Sequence, residues 1–112
     1  MLNYASLESA LVQVEDLKLF FSNKSTSSKG IGNSFGEKGW QVLDDFAQWL
    51  TDEQRSHIAT MLEEIKNAIE ELASGKENAK MIQSLLDRLG DSARPVYRTL
   101  KSIPVIAELG IS

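Results

Sequence analysis

The stretch TDEQRSHIATMLEEIKNAIEELASG, residues 51–75, decides the fold. Its apolar residues Ile58, Met61, Leu62, Ile65, Ala68, Ile69 and Leu72 recur at intervals of three and four, the repeat of one face of an α-helix. Thr51 and Gln54 have capping-box spacing, in which each side chain satisfies a backbone N–H left free at a helix start. Gly75 stands where a left-handed C-cap would end the helix. A helix with both ends marked and an unbroken apolar stripe needs other helices to cover that stripe.

Following it, Met81, Ile82, Leu85, Leu86 and Leu89 outline a fourth helix, closed by Gly90. The connection Ser74-Gly75-Lys76-Glu77 is short, and short connections make antiparallel neighbours. Ile65 and Leu86 are therefore expected in the core of a hairpin of helices three and four. Asp91 or Ser92 can cap a fifth helix carrying Val96, Tyr97, Leu100 and Ile103, with Pro95 tolerable in its first turn. Pro104 must end or kink that helix, because proline removes a donor and clashes with the preceding turn. The apolar end formed by Ile103, Val105, Ile106, Leu109 and Ile111 is too short to span a bilayer and too apolar to leave in water. It is expected to pack back as a short final helix, with Pro104 in its first turn and Gly110 ending it. The alternatives are pairing with another copy of the chain, or a junction to a following domain.

Preceding the central stretch, Leu7, Leu11, Val14, Leu17 and Phe21 share one face of a first helix. Trp40, Leu43, Phe46, Ala47, Trp49 and Leu50 form a second, apolar over so wide an arc that burial between neighbours is expected, with both tryptophans in the core. It meets the third helix at a bend near Thr51. Phe20 and Phe21 are adjacent, so both cannot occupy the centre of one face. One is expected to point outward, which makes the end of the first helix a candidate contact patch. The fold class that results is all-α: a compact bundle of about five helices in one domain, with a Ser/Gly-rich loop after helix one.

That loop, SNKSTSSKGIGNSFGEKG at residues 22–39, invites comparison with a phosphate cradle. A Walker-type loop needs a glycine, four residues, then Gly-Lys-Ser/Thr between a strand and a helix. Gly32 and Gly36 are one residue too close for it, and Glu37 intervenes before Lys38. A dinucleotide fingerprint would need glycine where Phe35 stands. The run therefore reads as a flexible linker, its composition rich in Ser, Gly and Lys. The sharper alternative is a binding loop presenting Phe35 and Lys38 to a partner.

Composition narrows function by exclusion. One domain is the expectation for 112 residues, whether it stands alone or begins a longer chain. Sixteen acidic residues outnumber 12 basic ones, for a formal net charge of −4. Phosphate binding needs clustered Lys and Arg, so nucleic acid is not the expected partner. Cysteine is absent, which excludes disulfides, thiolate metal sites and a Cys nucleophile. The N-terminus lacks the basic start and uninterrupted apolar core of a signal peptide. No segment reaches the roughly 18 to 20 apolar residues of a membrane span. A cytoplasmic protein is the expectation.

Candidate chemistry is sparse. His57 is the one histidine, with Glu53 four residues before it. Such a pair can do acid–base work, but near a helix start it is more simply a surface pair. Neither di-iron Glu-x-x-His spacing nor a second imidazole is present for a metal. Glu63, Glu64, Glu70 and Glu71 repeat at seven residues and place acid opposite the apolar stripe of helix three. That run reads as a solvated face or as a docking surface for a basic partner. The functional expectation is a non-enzymatic helical module that binds another protein, or a further copy of itself: an adaptor, inhibitor or small regulatory subunit. Its candidate contact residues are Phe20, Phe35, Lys38, Glu63, Glu64, Glu70 and Glu71, with no catalytic, cofactor or metal-binding residue assigned. Two alternatives stand beside it: a self-associating or membrane-active effector using the apolar C-terminal segment, and a small bundle enzyme with His57 in the site.

Overall fold

A computed structural model describes residues 4–22 and 35–109, with side chains over 6–22 and 35–108. Among these residues the chain is helical and forms no strand. The order is α1 (Tyr4–Ser22), α2 (Gly36–Ala47), α3 (Asp52–Ala73), α4 (Ala79–Ser92), α5 (Arg94–Lys101) and α6 (Pro104–Leu109). Most of the predicted linker, residues 23–34, lies outside the described residues, as do Gly110 and Ile111. The linker is shorter than 22–39 at both ends. Ser22 completes α1, and residues 36–39 are already the first turn of α2. Phe35 anchors that turn, its ring 5.4 Å from Trp40.

The apolar stripe of α3 organises the packing. Ile58, Met61, Leu62, Ile65, Ala68 and Ile69 are buried, and α1 and α4 cover them with Val14, Leu17, Ile82, Leu86 and Leu89. At its start Gln54 N donates to Thr51 Oγ1 at 3.1 Å and Thr51 N donates to Gln54 Oε1 at 2.8 Å, completing the capping box. At its end Gly75 adopts φ 102°, a left-handed conformation that glycine enters without a Cβ penalty. Lys76 N donates to Glu71 O and Gly75 N to Leu72 O, both at 3.1 Å. Those two bonds are the Schellman pattern, which satisfies carbonyls that a helix end leaves free. The turn is short, and α3 and α4 form the expected antiparallel hairpin, with Ile65 and Leu86 inside it.

Three sequence expectations meet a different outcome around the hairpin. Gly90 does not close its helix, because α4 runs on to Ser92. A Cβ at Gly90 would lie 3.2 Å from the ring of Tyr97, so the glycine lets α5 approach closely. Neither Asp91 nor Ser92 caps α5. Ala93 holds that position, fully buried and offering no side-chain acceptor. Finally, neither phenylalanine at the end of α1 points outward. Phe20 and Phe21 are 2% and 1% exposed. Two neighbours on a helix lie about 100° apart, and here helices close over both directions. Phe20 packs on Trp40 at 5.5 Å and Phe21 on Phe46 at 6.5 Å, with Arg55 of α3 beneath both rings.

The C-terminal segment packs back, as its apolarity requires. Proline begins α6, and Ile103, Val105 and Ile106 are buried against α1, α4 and α5.

Candidate functional site

Trp49 is where the structure departs furthest from the pattern. Expected in the core, it is 82% exposed at the corner between α2 and α3. Helix geometry supplies the reason. Trp40, Leu43 and Ala47 form the buried side of α2. At 100° per residue, nine positions separate Trp40 from Trp49 by half a turn of the wheel, so the two indoles face opposite ways. Backbone bonds from Trp49 N to Phe46 O (3.2 Å) and Leu50 N to Ala47 O (3.1 Å) carry the helical sense through the corner. Half a wheel between two tryptophans was the signal available in the sequence.

The outward side of α2 is a connected stripe. Lys38, Val42, Asp45 and Trp49 follow one another by four, three and four residues, and all are exposed, Val42 by 55%. Beside the stripe lies a groove of about 480 Å³ between α2 and α5, whose lining includes Phe35, Val42, Pro95 and Arg98. Lys38, predicted as a loop contact, thus belongs to this helix face; Phe35, predicted with it, is the N-cap residue of α2, half-buried against Trp40 while lining the groove. Phe20 stands apart from it, inside the core.

The four glutamates of α3 do not form one surface. Glu63 is drawn into the α1–α3 seam, where Lys18 Nζ donates to its Oε1 at 2.8 Å. Glu15 Oε1 lies 3.3 Å from Lys18 and 3.0 Å from Lys66, near enough for ion pairs although not aligned as hydrogen bonds. Burial pushes the Glu15 carboxyl up, but the two ammonium groups outweigh it and hold the pKa below its ordinary value. Glu63 beside Lys18, and Glu15 beside Lys66, raise the two lysines against a smaller opposing effect of burial. Glu71 turns to the hairpin, accepting from Asn78 at 2.9 Å and pairing with Lys76 at 3.3 Å. Glu64 and Glu70 remain exposed, and Glu64 and Glu71 together line a second groove with Met81, Leu85 and Arg88.

His57 is exposed on α3. It lines a groove of about 410 Å³ with Glu53, Leu50 and Ser92. Among the described residues no carboxylate is hydrogen-bonded to its ring, and no three His, Cys, Asp or Glu side chains gather closely enough to hold a metal ion. None of the described helices is long and apolar enough to cross a membrane.

The chain matches no protein-family model, no curated protein and no solved structure. The reading of function therefore rests on the geometry of the α2 face.

Proposed function

We propose that this chain is a non-enzymatic helical module that binds protein, with the outward face of α2 and its Trp49 corner as the contact surface. The observation that carries the reading is the exposure of Trp49. Large aromatics contribute most where they are desolvated, and tryptophan is enriched among the residues that dominate interfaces. Covering the part of this indole now in water is worth about 3 to 5 kcal/mol at roughly 25 cal/mol per Å². A tryptophan held outward beside Val42 and a groove partly lined by Phe35, Val42 and Pro95 gives a partner something to bury. A protein partner fits better than nucleic acid, because Asp44, Asp45, Asp52 and Glu53 surround the corner in sequence and would repel phosphate. Work in a reducing compartment such as the cytoplasm is consistent with a chain that has no cysteine.

The test is affinity capture with the purified protein and its Trp49→Ala variant, with far-UV circular dichroism to confirm that both are folded. Loss, in the variant, of a protein retained by the wild type is the expected result. Equal retention of every captured protein by both would overturn the reading.

A further inference from the structure

The α2 stripe is complementary to itself. Lys38 and Asp45 are seven residues apart, and Val42 sits near their midpoint. If two α2 helices lie antiparallel with Val42 on the two-fold axis, each Lys38 falls opposite the other's Asp45. The same operation matches the ends of the stripe. Trp49 lies seven residues beyond Val42, and Phe35 lies seven before it. At about 1.5 Å per residue both are roughly 10 Å from the axis. Trp49 of one copy therefore arrives at Phe35 of the other, at the mouth of the groove that Phe35, Val42, Pro95 and Arg98 line. That groove offers the apolar side chains of Phe35, Val42 and Pro95 together with a guanidinium, and arginine over an indole face is a favourable cation–π arrangement.

Charge elsewhere on the chain reinforces the match. Residues 44–53 hold four of the 16 acidic side chains and no basic one, so the remaining 12 acidic residues equal the 12 basic ones. On the other wall of the groove, α5 carries Arg94, Arg98 and Lys101 with no acid, and Arg98 lines the groove itself. Arg94 and Lys101 flank the Tyr97 ring at 5.7 and 5.5 Å. Lys38 and Asp45 lie on one face of one helix, which favours a closed two-fold pair, since each copy offers the other both signs; complementary patches on remote surfaces would instead build open chains.

We propose that the partner of the α2 face is a second copy of this chain: a two-fold dimer in which Lys38 pairs with Asp45 across the axis and Trp49 enters the opposite groove. The proposal rests on the α2 face being the binding surface and names what binds there.

Sedimentation velocity over a concentration series tests it, using the full chain. The wild type is expected to dimerise, and W49A to weaken the dimer at least tenfold. D45K and K38D each place like charges opposite one another and are expected to be monomeric where the wild type is dimeric. An equimolar mixture of D45K and K38D restores both pairs and is expected to form a heterodimer, and the double variant K38D/D45K regains a homodimer. Lys38 and Asp45 are exposed, so circular dichroism should show every variant folded. A wild type that stays monomeric at hundreds of micromolar overturns the proposal, as does a dimer indifferent to D45K and K38D, or a mixture that does not reassociate. A monomeric wild type that still captures another protein through Trp49 would overturn the dimer and leave the α2 face as a binding surface. Monomers that capture nothing through Trp49 would sink both.

Discussion

Arg55 ties α3 to the end of α1, and replacing it should cost more than its half-buried position suggests. Its Nη2 donates to the carbonyl of Phe20 at 2.8 Å, while the guanidinium carbon lies 5.6 Å from the Phe20 ring and 5.7 Å from Phe21. Phe20 O is among the last four carbonyls of α1, which have no partner within the helix. A hydrogen bond involving a charged group contributes about 1.5 to 3 kcal/mol. The aromatic contacts add about 0.5 to 2 kcal/mol, and a cation at a helix C-terminus about 0.3 to 1 kcal/mol. Against these stands the desolvation of Nε, which is buried without a partner. The balance for Arg55→Ala is a loss of about 2 to 4 kcal/mol, to be read from urea unfolding followed by circular dichroism. Arg55→Met retains most of the packing and should recover only the smaller part of that loss. Arg55→Lys keeps the charge but not the planar fork, so it should lie between Arg55→Met and the wild type. A loss below about 0.5 kcal/mol for alanine would show that Arg55 does not tie α3 to the end of α1, and Arg55→Met matching the wild type would show that the tie is packing alone.

Other perturbations have equally definite outcomes. Ile65→Ala or Leu86→Ala removes a side chain that is 0% or 2% exposed within the hairpin and should cost about 2 to 5 kcal/mol in urea titration; less than about 1 kcal/mol at both sites contradicts the packing. Gly75→Ala meets no atom within 4 Å but must keep φ near 102°, so its cost should be the backbone penalty alone, about 1 to 2 kcal/mol by thermal unfolding; an unchanged midpoint would mean that the turn relaxes. The depressed Glu15 pKa contributes stability that is present above its ordinary value of 4.5 and is lost as pH falls through the folded value. The raised lysines contribute stability below 10.5 that is lost as pH rises past their folded values. Glu15→Gln should flatten both limbs of a stability–pH curve measured in urea, since it removes the group that both ammoniums face; identical acid and alkaline slopes in variant and wild type would dissociate the seam from the pH dependence.

What the sequence made legible follows the physics of each signal. Periodicity reports burial where an element has one apolar side and one neighbour, so α3 and its capping box, the hairpin turn at Gly75 and the packed-back α6 could all be read directly. It fails where an element is enclosed on several sides, as at Phe20 and Phe21, because an adjacent pair then looks like a conflict between faces. Local cues fail in a different way at Gly90 and Ala93. Glycine there answers to the Tyr97 ring on the next helix, and a buried alanine occupies a cap that polar neighbours could have filled. The acidic run of α3 is legible as spacing but not as contacts. Glu63 and Glu71 are spaced as a surface stripe, yet Glu63 accepts from Lys18 of α1 and Glu71 from Asn78 at the hairpin turn, partners that spacing within α3 does not report.

Trp49 is the instructive case, because hydrophobicity argued for the core while geometry argued against it. Extending the register of Trp40, Leu43 and Ala47 leaves no buried position at 49, and placing the indole inside would require unwinding the end of α2 or displacing the Thr51 cap that starts α3. The capping box fixes the corner through two hydrogen bonds, so the start of α3 holds Trp49 outward. On this account exposure is a property of the corner, and it should respond to the cap. Thr51→Ala removes one of the two bonds and should lower stability by about 1 kcal/mol. It should also loosen the corner enough to change the emission of Trp49, measured in a Trp40→Phe background. If the cap is lost and that emission remains identical in wavelength and quenching, the outward indole is held by α2 alone. The binding face would then be independent of α3.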